Sequence, residues 1–333
     1  MRIRSPPVKA IRIHEDGGPE VLRYEDAPDP EPAADEVLIR LRAASLNHLD
    51  VWVRKGLPSV QKPRILGADG AGVVEAAGNG FEAGQRVVIN PGVIANGRMQ
   101  VVGEAMDGTH AELVAIPARN VYAIPDELSF EEAAAFPLVF ETAYRMLVTK
   151  AALQAGETVF VWGIGGGVAT AALAIAKAHG ARVIVTSSSE QKLARARELG
   201  ADETIDHEAE DVRARMKQLT GGKGADIVVE TVGDATWKTT LEVAGTQGRI
   251  VVCGATSGPN PPAGLHRLWW KELVVYGSTM GSKEDFEACL ELVTSGRARP
   301  VIDEIFPLAE ARAAHERLEA GRQLGKIVFR IPA

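Results

Sequence analysis

Short alternations of apolar and polar residues fill the N-terminal part of the chain. Glu36-Val-Leu-Ile-Arg-Leu-Arg42, Arg86-Val-Val-Ile-Asn90 and Glu112-Leu-Val-Ala-Ile-Pro117 are separated by Gly, Pro and Asn, which predicts the strands of an irregular β domain. The texture changes after Pro125-Asp-Glu-Leu-Ser129, where Ser129 followed by Glu131 and Glu132 reads as a helix cap with acids in the first turn. Beyond it the apolar runs become continuous. Val159-Phe-Val-Trp-Gly163 is apolar enough to be buried on both faces of a parallel sheet, and an alanine-rich helix from Val168 to His179 stops at Gly180. Arg182-Val-Ile-Val-Thr-Ser187 is a second strand, Ser189 caps a helix ending at Gly200, and Ala225 to Val232 is a further strand. That alternation predicts a doubly wound parallel sheet. At the far end an amphipathic helix after Phe306-Pro-Leu runs through Leu318, and Lys326 to Ile331 is a last strand that can return to the β domain.

Between the strand ending at Gly163 and the helix opening at Val168 lies Gly163-Ile-Gly-Gly-Gly-Val-Ala169. Glycines lack the Cβ that would block a phosphate, and the N–H groups and positive end of a helix favour an anion, so Gly165, Gly166 and Gly167 are placed as a dinucleotide cradle. The run departs from Gly-x-Gly-x-x-Gly because Val168 holds the sixth place. About 20 residues beyond such glycines NAD-binding proteins carry a carboxylate for the ribose hydroxyls. Ser187 stands there instead, with Thr186, Ser188 and Ser189 as further donors and Lys192 one turn on. A carboxylate beside a ribose phosphate costs up to about 4 kcal/mol at 4 Å and an effective dielectric near 20. NADP(H) is therefore expected ahead of NAD(H), although serines before a helix also serve as caps and Glu190 can bind a ribose.

A chain of 333 residues has room for two domains. The net charge of −7 without a clustered basic stretch argues against nucleic acid or an anionic membrane as partner. No apolar run is long enough to span a bilayer, and Arg2, Arg4 and Pro6-Pro7 lead into no signal-peptide core, so the cytoplasm is expected. Cys253 and Cys289 are read as unpaired thiols, and the seven histidines include no pair at i, i+4 spacing.

End to end, the chain resembles the medium-chain dehydrogenase/reductase superfamily, and within it the quinone-oxidoreductase-like branch. The likeness rests on Gly17-Gly-Pro-Glu-Val-Leu22, Asn47-His-Leu-Asp50, Arg54-Lys-Gly56, Gly67-Ala-Asp-Gly-Ala-Gly72, Asp107-Gly-Thr-His-Ala-Glu112, Gly163 to Ala169, Leu199-Gly-Ala-Asp202 and Gly325-Lys-Ile-Val328. It implies an α/β fold: a GroES-like β-rich catalytic domain over 1–138 and 281–333, a Rossmann doubly wound parallel-sheet domain over 139–280, and a cleft between them where nicotinamide meets substrate. Zinc members of the superfamily hold their metal with cysteine, histidine and cysteine at positions occupied here by Asn47, Ala68 and Leu138, and the structural-zinc lobe corresponds to the cysteine-free stretch Asn90 to Asp107. No zinc is expected.

The expected chemistry is hydride transfer from NADPH to a small-molecule carbonyl, enone or quinone. Asn47 can donate to the carbonyl or to a ribose, and the proton can come from water, His48 or a ribose hydroxyl. From matching positions, Thr142 is expected beside the nicotinamide, and Val232, Gly233, Cys253, Gly254, Thr279 and Met280 at strand ends around the cofactor, with His207 in the same set and Lys326 on cofactor phosphate. Asp50 is expected to pair with Arg54 at i, i+4 spacing, and Asp69 to hold the fold. Trp52 replaces a tyrosine often found in quinone reductases. A homodimer or homotetramer pairing through Leu273 to Ser278 is expected; the alternatives are a metal-free alcohol or aldehyde dehydrogenase, or an NADPH-binding protein without turnover.

Overall fold

In the computed structural model, which describes residues 8–95 and 98–332, the alternation at Glu36 to Arg42 continues into one long strand, Glu36–Leu46. It is central to a sheet in the order Val121–Ala123, Arg86–Ile89, Asp69–Val74, Glu36–Leu46, Lys326–Arg330, Ile302–Pro307, with Leu113–Pro117 paired to its first half. Ile39, Leu41, Val74, Val87, Ile89, Val114, Ile116, Ile327 and Phe329 bury one apolar cluster around it. Side chains of this size contribute about 1.5–3 kcal/mol each when fully removed from water. Pairing Ser45 with Asp69 and Leu46 with Ile327 brings the end of the long strand beside the starts of its two neighbours. Asn47, Asp69 and Lys326 thus arrive at one edge of the sheet from three separate stretches of sequence.

The helix His48–Arg54 follows directly. Its Arg54 is fully buried and does not pair with Asp50 as the i, i+4 spacing predicted. Nη1 bonds His315 Nδ1 at 2.9 Å, Nη2 donates to Glu319 at 2.7 Å and Nε to the Gly17 carbonyl at 3.2 Å. The guanidinium so ties this helix to the helix Ala311–Glu319. The spacing rule describes side chains free to meet on an exposed helix face, whereas both of these are buried and reach partners in other segments. Because arginine only donates, His315 Nδ1 is the acceptor, and burial holds that imidazole well below its usual pKa, in the neutral form the bond requires.

The chain divides into two units, Met1–Leu138 with Val301–Ala333, and Val139–Pro300. Residues 281–300, given to the first domain on sequence grounds, lie in the second unit. Their helix Lys283–Thr294 buries Phe286, Cys289, Leu292 and Val293, and its capping Asp285 binds Arg145 Nη1 at 3.0 Å.

The second unit holds six parallel strands in the order Glu203–Asp206, Arg182–Ser187, Thr158–Val161, Ala225–Glu230, Ala244–Val252, Val274–Gly277. Counted along the chain this is 3-2-1-4-5-6, with the order reversing between Thr158–Val161 and Ala225–Glu230. Open sheets of this kind bind ligands outside the carboxyl ends of their strands at that reversal. The glycine turn follows the first of those two strands and Val232-Gly233 the second. Among the described residues no helix is long and apolar enough to cross a membrane.

Candidate functional site

In the second unit, the turn after Thr158–Val161 is tied to the neighbouring strand: Ile164 N donates to the Thr186 carbonyl at 2.7 Å, and Gly163 N to Thr186 Oγ1 at 3.1 Å. Gly163 takes a φ of +63°, a conformation open to glycine at little cost. The helix Gly167–Ala178 begins after Gly166 with no side-chain cap, so the N–H groups of its first turn are left to a ligand. A Cβ added at Gly163 or Gly166 would meet nothing within 4 Å. That open space before uncapped amides has room for a pyrophosphate.

The turn at Val232-Gly233 is built differently. Glu230, fully buried, accepts from Val232 N at 2.7 Å, Gly233 N at 3.0 Å and Thr236 Oγ1 at 2.9 Å. Its other oxygen accepts from Thr240 Oγ1 at 2.5 Å, which in turn accepts from the Trp162 indole at 2.7 Å. Sequence reasoning missed Glu230, although a carboxylate three residues before the glycine of a strand-end turn was visible. The Cys253 thiol is pushed up to about 12 by burial and by Glu230, so it stays protonated and is no nucleophile. Met280 is buried at φ +49°, a strained conformation for a side chain with a Cβ, while Thr279 beside it is exposed. Thr142 is buried on the helix Pro137–Tyr144.

After the second strand, Thr186 Oγ1 holds Gly163 N, and Ser189 Oγ caps the helix Glu190–Glu198 by accepting from Lys192 N at 3.4 Å. In each of these bonds the hydroxyl is the acceptor, so its own proton is left to donate. Ser187 Oγ accepts from Ser189 N at 3.1 Å and keeps its proton to give, and Ser188 is exposed. Lys192 is half-buried, and His207 donates its backbone N–H to the Ser187 carbonyl at 3.2 Å. Asp206 pairs with Ser187 across the sheet, but its carboxylate is taken up by the N–H groups of Glu208 and Ala209.

In the first unit, Asp69 is fully buried and gathers four donors from three segments of the chain. Oδ2 accepts from Ser45 Oγ at 3.0 Å, Asn47 Nδ2 at 2.8 Å and Lys326 Nζ at 3.1 Å, and Oδ1 accepts from Leu138 N at 2.9 Å. Lys326 Nζ also donates to Asn47 Oδ1 at 2.5 Å. Lys326 is 3 % exposed and gives two of its three N–H bonds to these partners, rather than standing open on the surface as the expected place on a cofactor phosphate requires. Burial, only partly offset by Asp69, lowers its pKa. Asp50 accepts from Asn47 N at 2.7 Å and Gly67 N at 2.9 Å, and burial raises its carboxyl to about 7. His48 is exposed beside Asn47. Trp52 is 40 % exposed.

This donor set does not fit zinc. Ala68 and Leu138 have no ligating atom, Asn47 is engaged by Lys326 and Asp69, and among the described residues no three or more His, Cys, Asp or Glu side chains gather to hold a metal.

Two family models match separate stretches of the chain. The alcohol dehydrogenase GroES-like domain family matches residues 33–126 and the zinc-binding dehydrogenase family residues 167–295. A quinone oxidoreductase of Pseudomonas aeruginosa is 37% identical over 96% of this chain and 99% of its own length. A crystal structure described as an NAD-dependent alcohol dehydrogenase is 43% identical, with a TM-score of 0.93 over 97% of this chain and all of that one. The quinone oxidoreductase of Pseudomonas syringae pv. tomato is 34% identical, with a TM-score of 0.85 over 97% of this chain and 99% of that one.

His110 gives the region a pH dependence. It is fully buried against Phe329, with Nε2 3.4 Å from the Ser45 carbonyl, and burial lowers its imidazole to about 4. The unfolded chain takes up a proton near 6.5 that the native state refuses until about 4. Stability is therefore full above that upper value and drains as pH falls through the window, by about 3 kcal/mol in all. Asp50 acts oppositely: its native carboxyl keeps a proton up to about 7, so its share is present at low pH and is lost as pH rises from about 4 to 7. Urea midpoints measured from pH 4 to 7.5 should fall less steeply towards acid in His110→Gln than in the native protein; an unchanged acid limb would assign the titration to another group.

Proposed function

The chain belongs to the medium-chain dehydrogenase/reductase superfamily, in its quinone-oxidoreductase-like branch of NAD(P)H-dependent oxidoreductases, and from that premise we propose that it reduces a quinone or α,β-unsaturated carbonyl with NADPH, in the cytoplasm and without zinc. The observation that carries this reading is the Asn47 amide fixed between Lys326 and Asp69, at a position where zinc relatives place a metal ligand, with Ala68 and Leu138 at the other two. Such a set offers a hydrogen bond rather than a Lewis acid.

When bound, the reduced nicotinamide supplies the hydride. Gly163, Gly165, Gly166, Gly167 and Val168 would hold the pyrophosphate, Val232, Gly233, Cys253, Gly254, Thr279 and Met280 the strand-end side of the cofactor, and Thr142 its nicotinamide end. Ser187, Ser188 and Lys192, with His207 beside them, would take the ribose phosphate. Asn47 Nδ2 donates to the carbonyl oxygen as charge builds there, a contribution of roughly 3 kcal/mol for one well-aimed donor. The closing proton comes from water or from His48.

A second reading, NAD(H)-dependent alcohol or aldehyde oxidation, is favoured by the 43% identical structure described as an NAD-dependent alcohol dehydrogenase. An NADPH-oxidation assay across quinones, enones and aldehydes separates the two: turnover with enones or quinones, insensitive to chelator, is expected. Oxidation of simple alcohols with NAD⁺, or loss of rate on chelation, would overturn it. Ser187→Asp should weaken NADPH at least tenfold and leave NADH within twofold in fluorescence titrations; equal effects on both would refute the 2′-phosphate assignment.

The subunits are proposed to pair as a homodimer or dimer of dimers along Val274–Gly277, the edge strand of the parallel sheet. Val274 and Val275 are exposed there, and the preceding helix exposes Leu265, Trp269 and Trp270, a large apolar patch for a free surface. Sedimentation velocity on Val275→Lys should show monomer where the native chain shows dimer or tetramer; an unchanged assembly would rule this edge out.

A further inference from the structure

Asn47, Asp69 and Lys326 close a triangle of hydrogen bonds whose direction is dictated by their chemistry. An ammonium only donates and a carboxylate only accepts. The amide between them has one permitted orientation, Oδ1 to Lys326 at 2.5 Å and Nδ2 to Asp69 at 2.8 Å, because turning it over would set NH₂ against ammonium and carbonyl against carboxylate. Lys326 Nζ reaches Asp69 Oδ2 directly at 3.1 Å, and Ser45 Oγ and Leu138 N occupy further acceptor sites on that carboxylate. One Nδ2 hydrogen is committed to Asp69 and the second is not. The ammonium draws electron density through the amide from its oxygen, which strengthens the remaining N–H as a donor.

We propose that Lys326 and Asp69 are positioning residues that orient and polarise Asn47 as hydrogen-bond donor to the carbonyl oxygen of the acceptor, the ammonium acting through the amide and not on a phosphate. This rests on the preceding reading of the reaction. Placed in this way, Lys326 governs the chemical step and has no part in holding the dinucleotide.

The test removes both charges together, since Lys326→Met alone would strand a buried carboxylate. In Lys326→Met/Asp69→Asn, with melting temperature and circular dichroism checked first, kcat with an enone or quinone should fall about a hundredfold while the KM for NADPH and its fluorescence-titrated Kd stay within twofold. Asn47→Ala should lose the same factor, and the triple variant no more than either, because all three act through one donor. Multiplying losses, an unchanged kcat in either variant, or a tenfold rise in the Kd of NADPH with kcat kept would each overturn the proposal. Should none of the quinones or enones accept hydride from NADPH on the native protein, the reading of the reaction fails by itself. Calorimetric binding of the same quinones and enones to the NADP⁺ complex then decides this one: weaker binding in both variants supports it, and equal or absent binding overturns it.

Discussion

A carboxylate withdrawn from water must recover its lost solvation from the chain, and Asp69 does so from Ser45, Asn47, Leu138 N and Lys326. Breaking a buried pair of this kind by removing one partner costs about 3–5 kcal/mol, so these segments are bound to one another by electrostatics as firmly as by apolar packing. The long strand, its two neighbours and the helix carrying His48 take their relative places around that one side chain. What holds the fold at this edge is also what orients the amide assigned to chemistry.

The second unit solves the same problem with other residues. Glu230 is as deeply buried as Asp69, but among the described residues two backbone amides and two threonine hydroxyls answer it in place of a cation. A carboxylate satisfied by these dipoles holds the turn at Val232-Gly233. Across the sheet, Thr186 performs the corresponding task for the glycine turn with neutral groups alone. The two turns at the reversal of the sheet are thus fixed by hydrogen bonds, and the helix beginning at Gly167 has no side-chain cap on its first-turn amides.

Much of this was legible in the sequence wherever the signal is local. Alternation in Glu36 to Arg42, the apolar run before Gly163 and the cap at Ser129 are written within a few residues, and each became the element its pattern predicted. The misreadings are long-range or concern competition for a hydrogen bond. Nothing near Lys326 shows that it will meet Asp69, 257 residues earlier, and a lysine read from a family position was sent to phosphate instead. Asp50 and Arg54 fit a helix-surface rule that burial cancels. That Thr186 and Ser189 would each accept a backbone N–H could not be told before the turn they belong to is known. The return to the first unit was placed twenty residues early, since a helix such as Lys283–Thr294 carries no mark of the unit it packs in.

The pairing of Leu46 with Ile327 has a consequence for biosynthesis. A ribosome delivers the chain in order, and the strand that completes the first sheet emerges only after the whole of 139–300. Until then the edge of Glu36–Leu46 that Lys326–Arg330 will cover stands open, and the Asp69 carboxylate lacks its cation. The entropy of closing so long a loop grows only slowly with its length, so the delay is imposed by translation more than by thermodynamics. A nascent chain stalled before Lys326 would carry a finished nucleotide-binding unit beside a half-built partner, a form for chaperones to hold rather than for the cell to use.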